Sequence, residues 1–207
     1  MSYIRNLRLC VDPGHGGIDP GCSYKDLQEK NITLDIAHKV KNIATGYGFD
    51  VLMTRDDDTY VPLSSRVDMA EKKMCDAFVS IHINWSDSAK ARGIEVIYHN
   101  DLYRGLSSII FAKILDEIED RCESLKNYKQ SDSIIKKMKS FISSARGLRY
   151  DVEYLGYELT VLRGLIPSSL VEVCFLSNRS DRALLNNEFF LNSVASGIVK
   201  GVDLYLL

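Results

Sequence analysis

Short apolar runs alternate with longer segments of helical periodicity along almost the whole 207-residue chain, and this alternation constrains the fold most. Leu7 to Val11, Phe49 to Met53, Ala77 to Asn84, Ile94 to Tyr98, Glu158 to Leu162 and Ser168 to Leu176 read as strands. Helices are expected from Asp26 to Ala44, Leu63 to Met74, Leu102 to Leu125, Ile134 to Ser144, Asp181 to Leu185 and Glu188 to Leu207. The order predicts an α/β fold: one domain, a three-layer sandwich with a mostly parallel, twisted sheet of about six strands flanked by helices.

Composition narrows the function classes. A net charge of −2 gives no polyanion footprint, so nucleic acid is not an expected partner. No apolar run is long enough to span a bilayer, and membrane insertion is not expected. The N-terminal residues run into the first strand without the apolar core of a signal peptide, so synthesis in the cytoplasm is expected. The five cysteines, at 10, 22, 75, 122 and 174, are odd in number and form no C-x-x-C pair. They suggest neither a disulfide framework nor a thiolate zinc site.

Four residues carry possible chemistry. The first strand breaks into Asp12-Pro13-Gly14-His15-Gly16-Gly17, which sets His15 just past a carboxyl end, where open α/β sheets bind ligands. His82 lies near the end of the third strand. Glu29 opens the first helix, where Asp26-x-x-Glu29 also reads as a capping box. Glu172 interrupts an otherwise apolar strand, and a carboxylate buried there needs a partner: a structural salt bridge or a role in a cleft. Two histidines and a carboxylate form the ligand set of many catalytic zinc sites, and a further carboxylate suits a general base. A plain surface turn around His15 and a glycine-rich phosphate loop are competing readings, although the loop matches no nucleotide fingerprint.

The ordered blocks DPGHGG (12–17), Glu29 before a helix, TR (54–55), SIHIN (80–84), GIEV (93–96), ARG (145–147), VLRG (161–164) and PSSLVEVCFLSN (167–178) resemble the zinc-dependent N-acetylmuramoyl-L-alanine amidases. The resemblance covers roughly residues 7 to 206. It implies one zinc per chain held by His15, Glu29 and His82, with Glu172 as the catalytic glutamate. It implies peptidoglycan as substrate, cut between the lactyl group of N-acetylmuramic acid and L-alanine by a zinc-activated water. Asn84 and Arg66 are expected near the site. His38 is expected on a solvated face, and no role is assigned to His99.

Two departures from the family follow. A helical insertion near 106–144 is longer than the family's minimal form; as a cover it would bring Glu117, Glu119 or Glu123 to the zinc, and as a surface hairpin it would be a solvated amphipathic pair. The cell-wall-binding repeats of many such amidases are not seen, so residues 1–207 are expected to form a single catalytic domain, compatible with a phage endolysin or an autolysin acting on the cell wall. Alternatives are another zinc-dependent amidohydrolase or carboxypeptidase on this scaffold, and an inactive peptidoglycan-binding module.

Overall fold

The computed structural model describes residues 7–126 and 132–207. In chain order the strands are β1 (Arg8–Pro13), β2 (Ser23–Tyr24), β3 (Leu27–Gln28), β4 (Asp50–Met53), β5 (Ala77–Asn84), β6 (Glu95–Tyr98), β7 (Gly147–Tyr150) and β8 (Ser168–Phe175). The helices are α1 (Glu29–Gly46), α2 (Leu63–Lys72), α3 (Arg104–Leu125), α4 (Asp132–Ile142), α5 (Asp151–Leu155), α6 (Arg179–Leu185) and α7 (Glu188–Leu206). Six strands form one sheet in the order β4-β1-β5-β8-β6-β7, and β2 and β3 pair as a separate small ribbon. All neighbours in the large sheet are parallel except β6 against β8. The expected α/β sandwich is the architecture found.

The two sheet faces are covered unequally. Leu9, Val11, Val79, Ile81, Val171 and Val173 face a thick helical layer whose buried residues include Ile36 and Val40 of α1, Ile110 and Ile114 of α3, and Val194 and Ile198 of α7. Apolar side chains on both faces explain why the central strands read as near-continuous apolar runs. The helix α7 lies very close to α3. A Cβ at Gly197 would sit 2.4 Å from Ile114 Cα, and one at Gly201 would sit 2.7 Å from Ile110 Cα. On the opposite face Cys10, Phe78, Ile97 and Leu170 meet a thin cover that includes Ala70 of α2 and Val161 and Leu162. That cover reaches only the lower half of the central strands. The upper half, which carries His82 and Glu172, has the strand periodicity of the same face.

Several expectations need correction. Glu158 to Leu162 is not a strand: Thr160–Leu162 is a 3-10 turn that buries Val161 and Leu162 against the thin face. The sixth strand is instead Gly147–Tyr150, an edge strand with no fully buried residue, which gave little apolar signal. The capping box does not form. The helix starts at Glu29 after an N-cap Gln28 that makes no side-chain cap bond, and the preceding residues belong to the β2–β3 ribbon. The α3–α4 segment is amphipathic but not a solvated pair, because Leu106, Ile110, Ile114, Ile118, Met138 and Phe141 are fully buried. Its acidic residues do not cover the cleft. Glu117 accepts from Ser196 and Lys200 on α7, Glu123 pairs with Lys126 and Lys139, and Glu119 is exposed. All five cysteines are free, and Cys10 and Cys174 are buried as expected.

Candidate active site

The carboxyl end of β1 is fixed before any functional group is placed. Asp12 is fully buried and accepts from Thr54 Oγ1, Arg66 Nη1 and Ser80 Oγ. Arg66, itself 1% exposed, also donates to the carbonyls of Pro13 and His15, each at 2.8 Å. Arg55 donates to the carbonyls of Pro13 and Gly14. The Gly14 N–H donates to the Ile81 carbonyl of β5, two buried guanidiniums satisfy the carbonyls of the turn, and one buried carboxylate balances part of their charge.

This turn delivers His15 with a left-handed backbone, φ 63°. Its Nδ1 lies 2.8 Å from Asp19 Oδ2 and its Nε2 lies 3.1 Å from Glu29 Oε1. With Asp19 accepting the Nδ1 proton, a neutral His15 would present its Nε2 lone pair to a metal, the usual arrangement of a metal-ligating histidine. His82 Nδ1 lies 3.1 Å from the same Glu29 oxygen, and the two imidazole centroids are 4.9 Å apart. Close approach needs residues without side chains. A Cβ at Gly14 would fall 2.3 Å from His82 Cε1, and one at Gly21 would fall 2.5 Å from Glu29 Oε2.

Glu29 is 3% exposed. It accepts from the backbone N–H of Ile83 through Oε1 and from that of Cys22 through Oε2. Burial raises its pKa, but hydrogen bonds and charge from His15 and His82 outweigh burial and hold it well below the usual carboxylate range. Burial lowers the His15 pKa, and Glu29 and Asp19 more than reverse that, leaving it raised. The ligand atoms of His15, Glu29 and His82 all lie within 4.8 Å of one another, so the three can hold one metal ion. Two nitrogens and one oxygen, with a carboxylate behind one imidazole, fit zinc.

Glu172 is brought to the same place by strand register. It pairs with His82 across β5–β8 and with Glu95 across β8–β6, so the three side chains share one face on three adjacent strands. Burial, then the charges of Glu29 and Glu95, push its pKa well above the ordinary value. Among the described residues its buried Oε2 has no hydrogen-bond partner. The structural salt bridge considered from sequence is therefore not made. Glu95, by contrast, is fully buried and saturated: it accepts from Asn84 Nδ2, Tyr154 Oη, and Nε of both Arg146 and Arg149.

All four expected site residues thus meet at one end of the thin face. Arg66 and Asn84 are there too, as supports for the His15 turn and for Glu95. His38 is half exposed beside Asp56, away from this cluster, and His99 lies against Asp151. Sequence reasoning assigned no role to Asp12, Asp19, Arg55, Glu95, Arg146, Arg149 or Tyr154. Glu95 and Arg146 fell inside the GIEV and ARG blocks, but only the three-dimensional pairing shows what they do.

A two-histidine, one-carboxylate cluster at strand ends, with a half-buried glutamate beside it, is the side-chain set that metallohydrolases use. The family model described as N-acetylmuramoyl-L-alanine amidase matches residues 9–203, and the chain belongs to that family. N-acetylmuramoyl-L-alanine amidase AmiC of Neisseria meningitidis is 34% identical over 96% of this chain, which spans 52% of that protein. AmiA of Escherichia coli, of the same description, is 30% identical over 95% of this chain, which spans 75% of it. The catalytic domain of CwlV, the amidase of Bacillus (Paenibacillus) polymyxa var. colistinus, superposes with a TM-score of 0.79 at 29% identity, covering 97% of this chain and 98% of that one. Among the described residues no helix is long and apolar enough to cross a membrane.

Proposed function

We propose that this cleft hydrolyses the amide between the lactyl group of N-acetylmuramic acid and L-alanine in peptidoglycan, with one zinc held by His15 Nε2, Glu29 and His82 Nδ1. The observation that carries this reading is Glu172. A half-buried carboxylate with one buried, unpartnered oxygen, one strand from a metal-ligand cluster, has no structural use and costs stability. Zinc bound there would act as a Lewis acid toward water and the lactyl carbonyl oxygen. Glu172 accepts the proton of the attacking water and returns a proton to the leaving amine of L-alanine. Its pKa, raised by burial and by the charges of Glu29 and Glu95, makes it a readier proton acceptor than an ordinary carboxylate. Asp19 fixes the His15 tautomer, and Arg55 and Arg66 hold the turn so that His15 does not reorient. We take the described α/β body as the catalytic unit, acting on the cell wall.

The test is release of stem peptide with a new L-alanine amino terminus from purified peptidoglycan. Release is expected to stop with chelator and to return with zinc. Glu172→Ala is expected to keep one zinc per chain and lose at least ~10²-fold in rate, the usual contribution of a general acid–base group. Near-normal turnover in that variant refutes the role of Glu172. A zinc-loaded wild type that releases nothing from several wall types refutes the substrate.

A further inference from the structure

On the side of Glu172 away from His82, the cleft is bounded by charge that the hydrolytic step does not use. Arg146 and Arg149 each give their Nε–H to Glu95 Oε1, and both side chains remain about a third exposed, at 34% and 32%. Their planes are further set by aromatic rings: Arg146 lies 5.2 Å from the centroid of Phe175 and Arg149 5.3 Å from that of Tyr154. Two guanidiniums against one carboxylate leave one positive charge at this wall. With about a third of each side chain exposed, the guanidiniums are accessible, and a guanidinium edge matches a carboxylate in geometry and charge.

The direction in which substrate runs follows from the reading above, on which this inference rests. The scissile carbonyl oxygen belongs at the His15–Glu29–His82 cluster, and the leaving nitrogen beside Glu172. The peptide beyond that nitrogen therefore runs away from β5, across β8 and toward β6 and β7. Glu95 is the register partner of Glu172, so the arginine wall begins one strand spacing, about 5 Å, past the acid–base group. In a peptidoglycan stem the second residue is a D-glutamate joined onward through its γ-carboxyl, which leaves an α-carboxylate. That group lies about 7 Å from the scissile carbon in an extended chain, a figure set by standard backbone dimensions. The reach of the peptide and the position of the arginines agree.

We propose that Arg146 and Arg149, held in place by Glu95, form a carboxylate subsite that reads the second residue of the stem peptide. Stems in which that α-carboxylate is an amide present no charge to the wall and are poorer substrates. The test compares two N-acetylmuramoyl tripeptides differing only in whether the second residue carries a free or an amidated α-carboxyl. A third tripeptide has the α-carboxyl free and the carboxy terminus amidated.

With the zinc-loaded wild type, kcat/KM is expected to be about tenfold higher for the free α-carboxylate, the scale of one charge-assisted contact at a partly exposed site. Amidating the carboxy terminus is expected to change it by less than twofold. In Arg146→Gln and Arg149→Gln the preference is expected to collapse toward one through the carboxylate substrate. The wild-type comparison needs no variant to fold. Equal rates on the free and amidated α-carboxyl overturn the subsite, as do variants that slow both substrates by the same factor. A dependence on the carboxy terminus alone overturns its assignment to the second residue. Cleavage of none of the three overturns the amidase reading and the subsite with it.

Discussion

Gly14 offers a sharp probe of the cluster because its constraint is purely steric. Its φ is not in the left-handed region, so alanine is compatible with the backbone, yet the added Cβ would stand 2.3 Å from His82 Cε1. Carbon atoms in contact sit about 3.5–4.0 Å apart, so the imidazole must retreat by roughly 1.2 Å or more. Metal–ligand distances tolerate about ±0.2 Å, so that retreat takes His82 out of ligand range unless the turn moves instead. The turn resists, because Arg55 and Arg66 hold its carbonyls. Gly14→Ala is therefore expected to weaken zinc binding at least ~10- to 100-fold, the scale seen when the support of a ligand is lost. Competition with a chromophoric chelator measures this directly. Gly46→Ala is the control: its Cβ would meet nothing within 4 Å, and zinc affinity should not change. If Gly14→Ala binds zinc as tightly as wild type, His82 is not a ligand in the arrangement described.

Two further outcomes follow from groups already described. The raised pKa of Glu172 means that its contribution to stability is fully present below the unfolded value, about 4.3, and is lost as pH rises through the folded one. Glu172→Gln should thus unfold at a higher temperature than wild type at pH 7 in the presence of chelator, with the difference vanishing near pH 3.5; equal melting temperatures at both pH values would contradict a cost from its buried, unpartnered Oε2. Gly197→Ala places a methyl 2.4 Å from the α3 backbone and should cost about 1–3 kcal/mol in urea unfolding, a loss that a freely adjusting helix pair would not show.

Much of this molecule was legible before its coordinates. The central strands Ala77–Asn84 and Ser168–Phe175 were read almost to the residue because burial on both faces makes them apolar throughout. The edge strand Gly147–Tyr150 has no such signature, since an edge strand needs few apolar side chains, and Glu158 to Leu162 reads as a strand because the short turn that buries Val161 and Leu162 is equally apolar. Local pattern suggested a capping role for Glu29. In the fold its oxygens accept from Cys22 and from Ile83, 54 residues away, a long-range pairing that no helix-start rule contains. The same holds for Arg66: it is expected near the site, but its burial against Asp12, 54 residues away, is a long-range pairing with no local pattern. Residues whose work is to hold others in place carry no local signature.

Because His82, Glu172 and Glu95 are partners in one register on three neighbouring strands, the separation between metal cluster, acid–base group and arginine wall comes in steps rather than along a continuum. Sliding β8 by one residue would turn Glu172 to the opposite face, and sliding it by two would carry it a full pleat, nearly 7 Å, along the sheet. Neither gives a slightly altered enzyme; both give none. Drift in the surrounding sequence can therefore vary the loops and the rim of the cleft, and so what fits there, while the distance that matters for bond cleavage stays locked to the strand repeat.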